Sequence, residues 1–245
     1  MCRLAAYVGP ERDLRSLWLA PPHSLVVQSY APKELAGAIL NADGFGAAWY
    51  TDAGPEPALY RTVMPLWGDE NFPRMAAHLR TRHALANVRS ATPGFGIQST
   101  NVSPFVVGRH AFSHNGFVER FRDVMLRRLR DGLDDARYRE IEGNTDSEHL
   151  FAHVRMGVAA LGDDADPRPA VRDRLRDVAR WAEEAGVRAL LNVLWSDGRW
   201  LCATRFAVGA AAPTHYNRPR ADGGDEVGRA PHDDRPRWRA VATEP

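Results

Sequence analysis

Two cysteines occur in the 245 residues, and one of them is Cys2, directly behind Met1. With so small a residue following it, Met1 is expected to be trimmed, which leaves Cys2 with both a thiol and a free α-amine. That is a nucleophile with its own base attached. Three further stretches hold residue types that could complete such chemistry. SHNG, residues 113–116, sets the side-chain amide of Asn115 beside Gly116, whose backbone a ligand can approach closely. Two such donors aimed at one point make an oxyanion hole, although Asn-Gly alone is commonest as a plain turn. NVRSAT, residues 87–92, puts Arg89 at the end of a buried-looking strand. Its guanidinium could grip a carboxylate through two parallel hydrogen bonds, or make a surface ion pair. NTDSEHL, residues 144–150, has the form of a helix N-terminus, with Thr145, Asp146 or Ser147 as the cap.

Other candidate chemistry is weaker. His149 and His153 stand i, i+4 on a predicted helix, a spacing able to hold zinc, but no Cys lies near and there is no HExxH pattern. A solvated or core-edge pair is the expectation, with no metal and no cofactor. Cys202, in RWLCATRF, reads as a buried strand residue behaving as a small hydrophobe.

The apolar content of 44% suits one sizeable core, so one domain is expected. Thirty-two basic residues against thirty-one acidic ones give a net charge of +1, which argues against nucleic acid or an anionic membrane as partner. No apolar stretch is long enough to span a bilayer, and Arg3, Glu11, Arg12, Asp13 and Arg15 occupy the region where a signal peptide needs an apolar run. The expected location is the cytoplasm, where two cysteines two hundred residues apart are poor disulfide candidates.

The elements that must position these residues are segregated more than alternating, which predicts the α+β class. Strands are expected at CRLAAYVG, after the Gly-rich NADGFG, at RHALANVRSAT, and in FVVGRHAFSHNG, which turns at Gly108 and is stopped by Asn115-Gly116. RALLNVLW and RWLCATRF flank Ser196-Asp197-Gly198 as a hairpin. Helices are expected in NFPRMAAHLRTR, in ERFRDVMLRRLRDG with Phe121, Val124, Met125 and Leu129 inward, and in DSEHLFAHVRMGVAALG and AVRDRLRDVARWAEEAG. Residues 213–245 are rich in Pro, Gly, Asp and Arg without periodicity, and read as a divergent or disordered C-terminal tail behind a domain at 2–212.

Taken in order, MCRLAAYVG, NADGFGAAWY, NVRSAT, SHNG and NTDSEHLF resemble the class II glutamine amidotransferases, a branch of the N-terminal nucleophile hydrolases, from residue 2 to about 210. The resemblance implies a four-layer αββα sandwich, with Cys2 as nucleophile and Asn115 and Gly116 as the oxyanion-hole pair. It implies Arg89 on a substrate α-carboxylate and Asp146 on the α-ammonium, with Asp43, Gly44 and Thr92 among the substrate-binding residues. SLVVQSYAPKE, NADGFG and PLWGDENF further resemble the ergothioneine-pathway subfamily, which removes glutamate from γ-glutamyl-hercynylcysteine S-oxide. On that pattern the partner is a small γ-glutamyl molecule, and a homo-oligomer stays open. Tyr30, Trp49 or Trp67 could meet the trimethylammonium group of such a substrate by cation–π contact, Trp67 being the residue assigned to it and Trp49 reading better as core. APHDDRPRWRAV matches the family's acidic, Pro-containing C-terminal peptide only in part. Two other readings stand beside this one: a glutaminase or ammonia-donating amidotransferase subunit, and a non-catalytic Arg-rich interaction module docking through residues 119–133.

Overall fold

A computed structural model of the chain describes residues 2–32, 40–92, 94–162, 165–209, 228–229 and 239–242. The chain forms two compact units: Met1–Ser113 with Leu194–Ala203 and Thr214–Pro245, and His114–Val193 with Thr204–Pro213.

The first unit is built on an antiparallel sheet whose strands follow the order β11-β1-β4-β2-β3. These are β1 (Arg3–Asp13), β2 (Phe45–Tyr50), β3 (Ala58–Thr62), β4 (Arg80–Val88) and β11 (Arg239–Ala242). Strand residues alternate between faces, and the sequence uses both. Ala5, Tyr7, Ala47, Trp49, Ala84 and Ala86 pack with Leu14 and Trp18 of α1 (Leu14–Trp18), Leu25 of α2 (Leu25–Tyr30), Leu66 of a 3₁₀ turn, and Phe72 and Ala76 of α3 (Phe72–Ala76). Leu4, Ala6, Val8, Ala48, Tyr50 and Leu85 face the other way, onto Ala111, Leu194 and Leu201. Those three belong to β6 (His110–Val118), β7 (Ala189–Ser196) and β8 (Trp200–Thr204). A sheet covered on both faces explains why FGAAWY and ALANV are buried throughout.

The second sheet has the order β10-β8-β7-β6-β5, with β9 (Ala207–Val208) on β7, β5 at Phe105–Val107 and β10 at Gly228–Arg229. The expected hairpin across Ser196-Asp197-Gly198 is present, and Cys202 is buried in β8. The second unit carries α4 (Phe121–Val124), α5 (Leu126–Asp131), α6 (Asp135–Arg139), α7 (Asp146–Val158) and α8 (Arg168–Glu184). Leu150, Val154 and Val158 of α7 and Val171, Leu175, Val178 and Ala182 of α8 are buried, as their spacing requires.

Three expected elements differ. NFPRMAAHLRTR is helical only over Phe72–Ala76, because its second half starts β4 at Arg80. Residues 119–133 form two short helices that break at Met125, with Phe121, Met125 and Leu129 still buried. β6 is not stopped by Asn115-Gly116 but runs through them to Val118. Within 213–245 two short strands, β10 and β11, are seen, and the remainder of that stretch lies outside the described residues, as does Met1. Among the described residues no helix is long and apolar enough to cross a membrane.

Candidate active site

Register brings three chain positions together in the first unit. β1 and β2 both pair antiparallel with β4, so that Arg3 and Phe45 each lie opposite Val88. One step past those strand ends come Cys2, Gly44 and Arg89. Arg89 N donates to Gly44 O at 2.8 Å, and Asp43 N donates to Arg89 O at 3.0 Å. The Cys2 Sγ accepts from Ser90 N at 3.4 Å and lies 3.6 Å from Ser90 O, a half-buried thiol held against the backbone that follows Arg89. Asp43 turns its Oδ2 to Ala91 N at 2.7 Å. A side chain at Gly44 would strain φ +132° and meet Thr62 O and Val102 at 2.8 Å, so only glycine suits this crossing.

The Arg89 side chain is buried, and two of its N–H groups donate to Asp43 O and Gly96 O, both at 3.3 Å. Burial pulls the guanidinium below its ordinary value, while the charges of Cys2 and Asp43 act in the opposite sense. Thr92 is exposed two residues beyond Ser90, its carbonyl accepting from Phe95 N at 3.1 Å. Trp67 is 40% exposed and stands edge-on to Tyr30, ring centroids 6.1 Å apart. Asn41 N bonds to Ser29 O at 2.8 Å, which ties the end of α2 to the NADGFG segment. Trp49, by contrast, is a core residue.

In the second unit Asn115 and Gly116 lie inside β6. A Cβ on Gly116 would sit 1.9 Å from Leu190 O and 2.6 Å from His114 Nε2. The glycine is there for close approach of backbone, which overrides the turn preference of Asn-Gly. Asn115 is buried, and its Oδ1 has no hydrogen-bond partner among the described residues. Thr145 proves to be the cap of α7, its hydroxyl accepting from Glu148 N at 3.2 Å. Asp146 follows at the helix N-terminus, where a carboxylate is favoured. Its Oδ2 accepts from Val118 N at 3.0 Å and its Oδ1 from Ser147 N at 2.8 Å. Glu148 accepts from Glu142 N and Gly143 N at 2.8 and 2.7 Å, pinning the loop ahead of the cap.

Sequence reasoning gave no role to Glu148 or His114 and offered Ser147 only as a cap. Glu148 was signalled by the Thr-x-x-Glu spacing. His114 and Ser147, whose Nδ1 and Oγ lie 3.0 Å apart, are separated by 33 positions, and no local pattern connects them. The two other constellations have ordinary partners. His149 Nδ1 bonds to Thr145 O at 2.7 Å and its Nε2 accepts from Arg130 at 3.0 Å. His153 lies 3.8 Å from Asp177. Several arginines of α5 and α8 meet acids, as in Arg128–Glu184 at 2.9 Å and Arg180–Asp177 at 3.1 Å.

Residues 23–209 match the family model of class II glutamine amidotransferases. The chain belongs to this family. This class II amidotransferase is 46% identical to the gamma-glutamyl-hercynylcysteine sulfoxide hydrolase of Mycolicibacterium smegmatis, over 98% of the chain and 92% of that relative. The solved glutamine aminotransferase class-II domain protein of Silicibacter pomeroyi is 28% identical with a TM-score of 0.64, covering 100% of this amidotransferase and 89% of that chain. The allosteric regulatory enzyme of purine biosynthesis, 13% identical, matches 99% of it against 42% of its own chain with a TM-score of 0.60. At that identity the likeness is one of fold, the α+β sandwich expected from the sequence.

Proposed function

We propose that this amidotransferase is an amidohydrolase that cleaves the γ-glutamyl amide of γ-glutamyl-hercynylcysteine S-oxide and releases glutamate. What carries the reading is the end-to-end likeness to the mycolicibacterial hydrolase, together with a thiol at residue 2 held beside Arg89. A small-molecule substrate and a cytoplasmic setting belong to the same reading.

With Met1 removed, the α-amine of Cys2 takes the thiol proton, directly or through a water, and the sulfur attacks the γ-carbonyl carbon. The carbonyl electron pair moves to oxygen, where the Asn115 amide and the Gly116 N–H receive the charge. Losing one such donor typically raises the barrier by about 3 to 4 kcal/mol. The ammonium returns its proton to the departing nitrogen as the C–N bond breaks. A γ-glutamyl thioester remains, and water cleaves it to glutamate and free Cys2. Arg89 and Asp146 break no bonds; they hold the α-carboxylate and α-ammonium, which fixes the γ-carbonyl within reach of sulfur.

The test is glutamate release from the sulfoxide conjugate and from glutamine, with protein of verified N-terminal mass and a Cys2→Ala control. Cleavage of the conjugate that is lost by at least about a thousandfold in Cys2→Ala supports the reading. Preference for glutamine points instead to an ammonia-donating amidotransferase, and release from neither substrate by protein lacking Met1 overturns the assignment.

A further inference from the structure

His114 and Ser147, which the reaction above does not use, form a chain of contacts with Asp146 inside the second unit. His114 Nε2 lies 2.7 Å from Leu190 O, its Nδ1 lies 3.0 Å from Ser147 Oγ, and Ser147 Oγ lies 3.2 Å from Asp146 Oδ1. All three side chains sit beside the Asn115-Gly116 step of β6 or at the start of α7. Gly116, two residues beyond His114, leaves no slack, since a Cβ there would strike both Leu190 O and the imidazole.

The donors can be assigned by elimination. Leu190 O can only accept, so Nε2 carries a proton. When the imidazole is neutral, Nδ1 is then an acceptor, and the one hydroxyl proton of Ser147 goes to it. Asp146 Oδ1 keeps only the Ser147 N–H and has a lone pair free. When the imidazole is protonated, Nδ1–H donates to Ser147 Oγ and the hydroxyl swings to Asp146 Oδ1. The carboxylate then accepts a second bond on that oxygen, which leaves it less able to accept from anything else.

We propose that His114 and Ser147 are positioning residues that set how many acceptor sites Asp146 offers to a substrate ammonium, with the Ser147 hydroxyl shared between imidazole and carboxylate. The inference rests on the reading that Asp146 receives the α-ammonium. Neutral His114 favours binding and protonated His114 opposes it, so KM for a γ-glutamyl substrate rises when acid protonates the imidazole. Of the other titratable and charged groups here, His149 also feels the charge of Asp146, while Arg155 pairs with Glu140 at 2.8 Å and His153 lies against Asp177 and Arg174. Glu148 holds the 142–143 backbone, His149 faces Thr145 O and Arg130, and Glu119 pairs with Arg188 at 3.1 Å.

The experiment compares Ser147→Ala, Ser147→Thr and wild type. Steady-state kinetics on the γ-glutamyl substrate are read across pH, beside ¹⁵N-histidine NMR of the same proteins without substrate. Ser147→Ala is expected to flatten the acid rise in KM and to change kcat by less than about threefold, whereas Ser147→Thr, which keeps the hydroxyl, restores the wild-type profile. In the NMR spectra the neutral His114 is the Nε2–H form, and Ser147→Ala shifts its Nδ1 resonance while Ser147→Thr does not. An unchanged KM profile in an active Ser147→Ala enzyme overturns the proposal. If wild type cleaves no γ-glutamyl substrate, the functional reading fails on its own, and the NMR comparison still decides whether the hydroxyl is shared.

Discussion

In the first unit the candidate residues hang one step beyond the ends of β1, β2 and β4, whereas in the second Asn115 and Gly116 are set inside a continuous strand and Asp146 inside a helix. The partners differ accordingly. Cys2, Arg89 and Asp43 lean mainly on backbone groups of the segments after β4, and neighbouring Thr92, Gly94 and Gly96 are exposed. Asn115, Gly116 and Asp146 are surrounded by buried side chains and a second strand. Residues past strand ends are positioned by register alone and can adjust to a ligand. Residues within a strand are preset and tolerate little change.

The sharpest way to break this comparison is to add one methyl group to each side. In Gly116→Ala the new Cβ would meet backbone of Leu190 at 1.9 Å, and backbone there cannot withdraw without parting two strands. We expect a loss above about 4 kcal/mol, or failure to fold. Gly44→Ala strains a positive φ and meets Thr62 O and a Val102 methyl at 2.8 Å. A smaller loss of about 2 kcal/mol is expected there. Urea unfolding of both variants checks the order; equal costs would mean that the strand-end residues are as tightly preset as the strand interior.

Acid stability offers the next test, because each unit holds a buried histidine that burial pushes far down. Burial pushes His83 in the first unit and His153 in the second down to about 4, Arg174 adding to the effect at His153 and Asp177 opposing it. The unfolded chain takes up these protons near the ordinary histidine value of 6.5. Folded protein resists until about 4, so the stability is present above pH 6.5 and is lost as pH falls through that window. Each displacement of roughly 2.5 pH units is worth about 3 kcal/mol. His153→Met should remove part of the acid loss with a smaller cost at neutral pH, since the nearest acid, Asp177, stands 3.8 Å from the ring, beyond hydrogen-bond distance. His83→Met should also remove part of it, but costs stability at neutral pH too, because Ser196 Oγ loses its 2.8 Å contact with the imidazole. Thermal melts between pH 4 and 7 distinguish the two.

How much of this was legible in the sequence follows the same division. Strand ends carry their own signals: Cys2 ahead of an apolar run, Gly44 in NADGFG, Arg89 closing ALANV. The strand interior was harder, because Asn115-Gly116 has local turn chemistry that only the Leu190 backbone overrides. The NFPRMAAHLRTR helix was read too long since helical and strand patterns overlap at Leu79–Arg82, and β4 claimed the shared residues through its pairing with β1 and β2. The cap of α7 was one of three candidates until geometry chose Thr145. The His114–Ser147 contact had no signal, since strand and helix start meet only in the folded chain.

Thr145 gives a smaller effect that tests whether Asp146 is preset by its helix. Removing the cap hydroxyl in Thr145→Ala leaves Glu148 N without its acceptor, an expected cost of about 1 kcal/mol. If the helix start holds Asp146, KM for the γ-glutamyl substrate rises with that loss. An unchanged KM with lowered stability would place the control of Asp146 in Val118 N and Ser147 N alone.

The smallest effect expected is at the exposed Tyr30–Trp67 pair, which belongs to the strand-end side of the comparison. Glutamine and the sulfoxide conjugate share the amino-acid head group and differ in what hangs from the amide nitrogen, so an aromatic residue that meets the trimethylammonium group must discriminate between them. Trp67 is 40% exposed and meets Tyr30 edge-on, so a cation over its ring gains about 0.5 to 1 kcal/mol. Trp67→Ala should therefore raise KM for the conjugate by about two- to fivefold, with Trp67→Phe between it and wild type. KM for glutamine should not change in either variant, because glutamine brings no cation to that side. A parallel rise for both substrates would mean that Trp67 supports the α2 and NADGFG segment through Tyr30 rather than touching the leaving group, and no rise for either would remove it from the site.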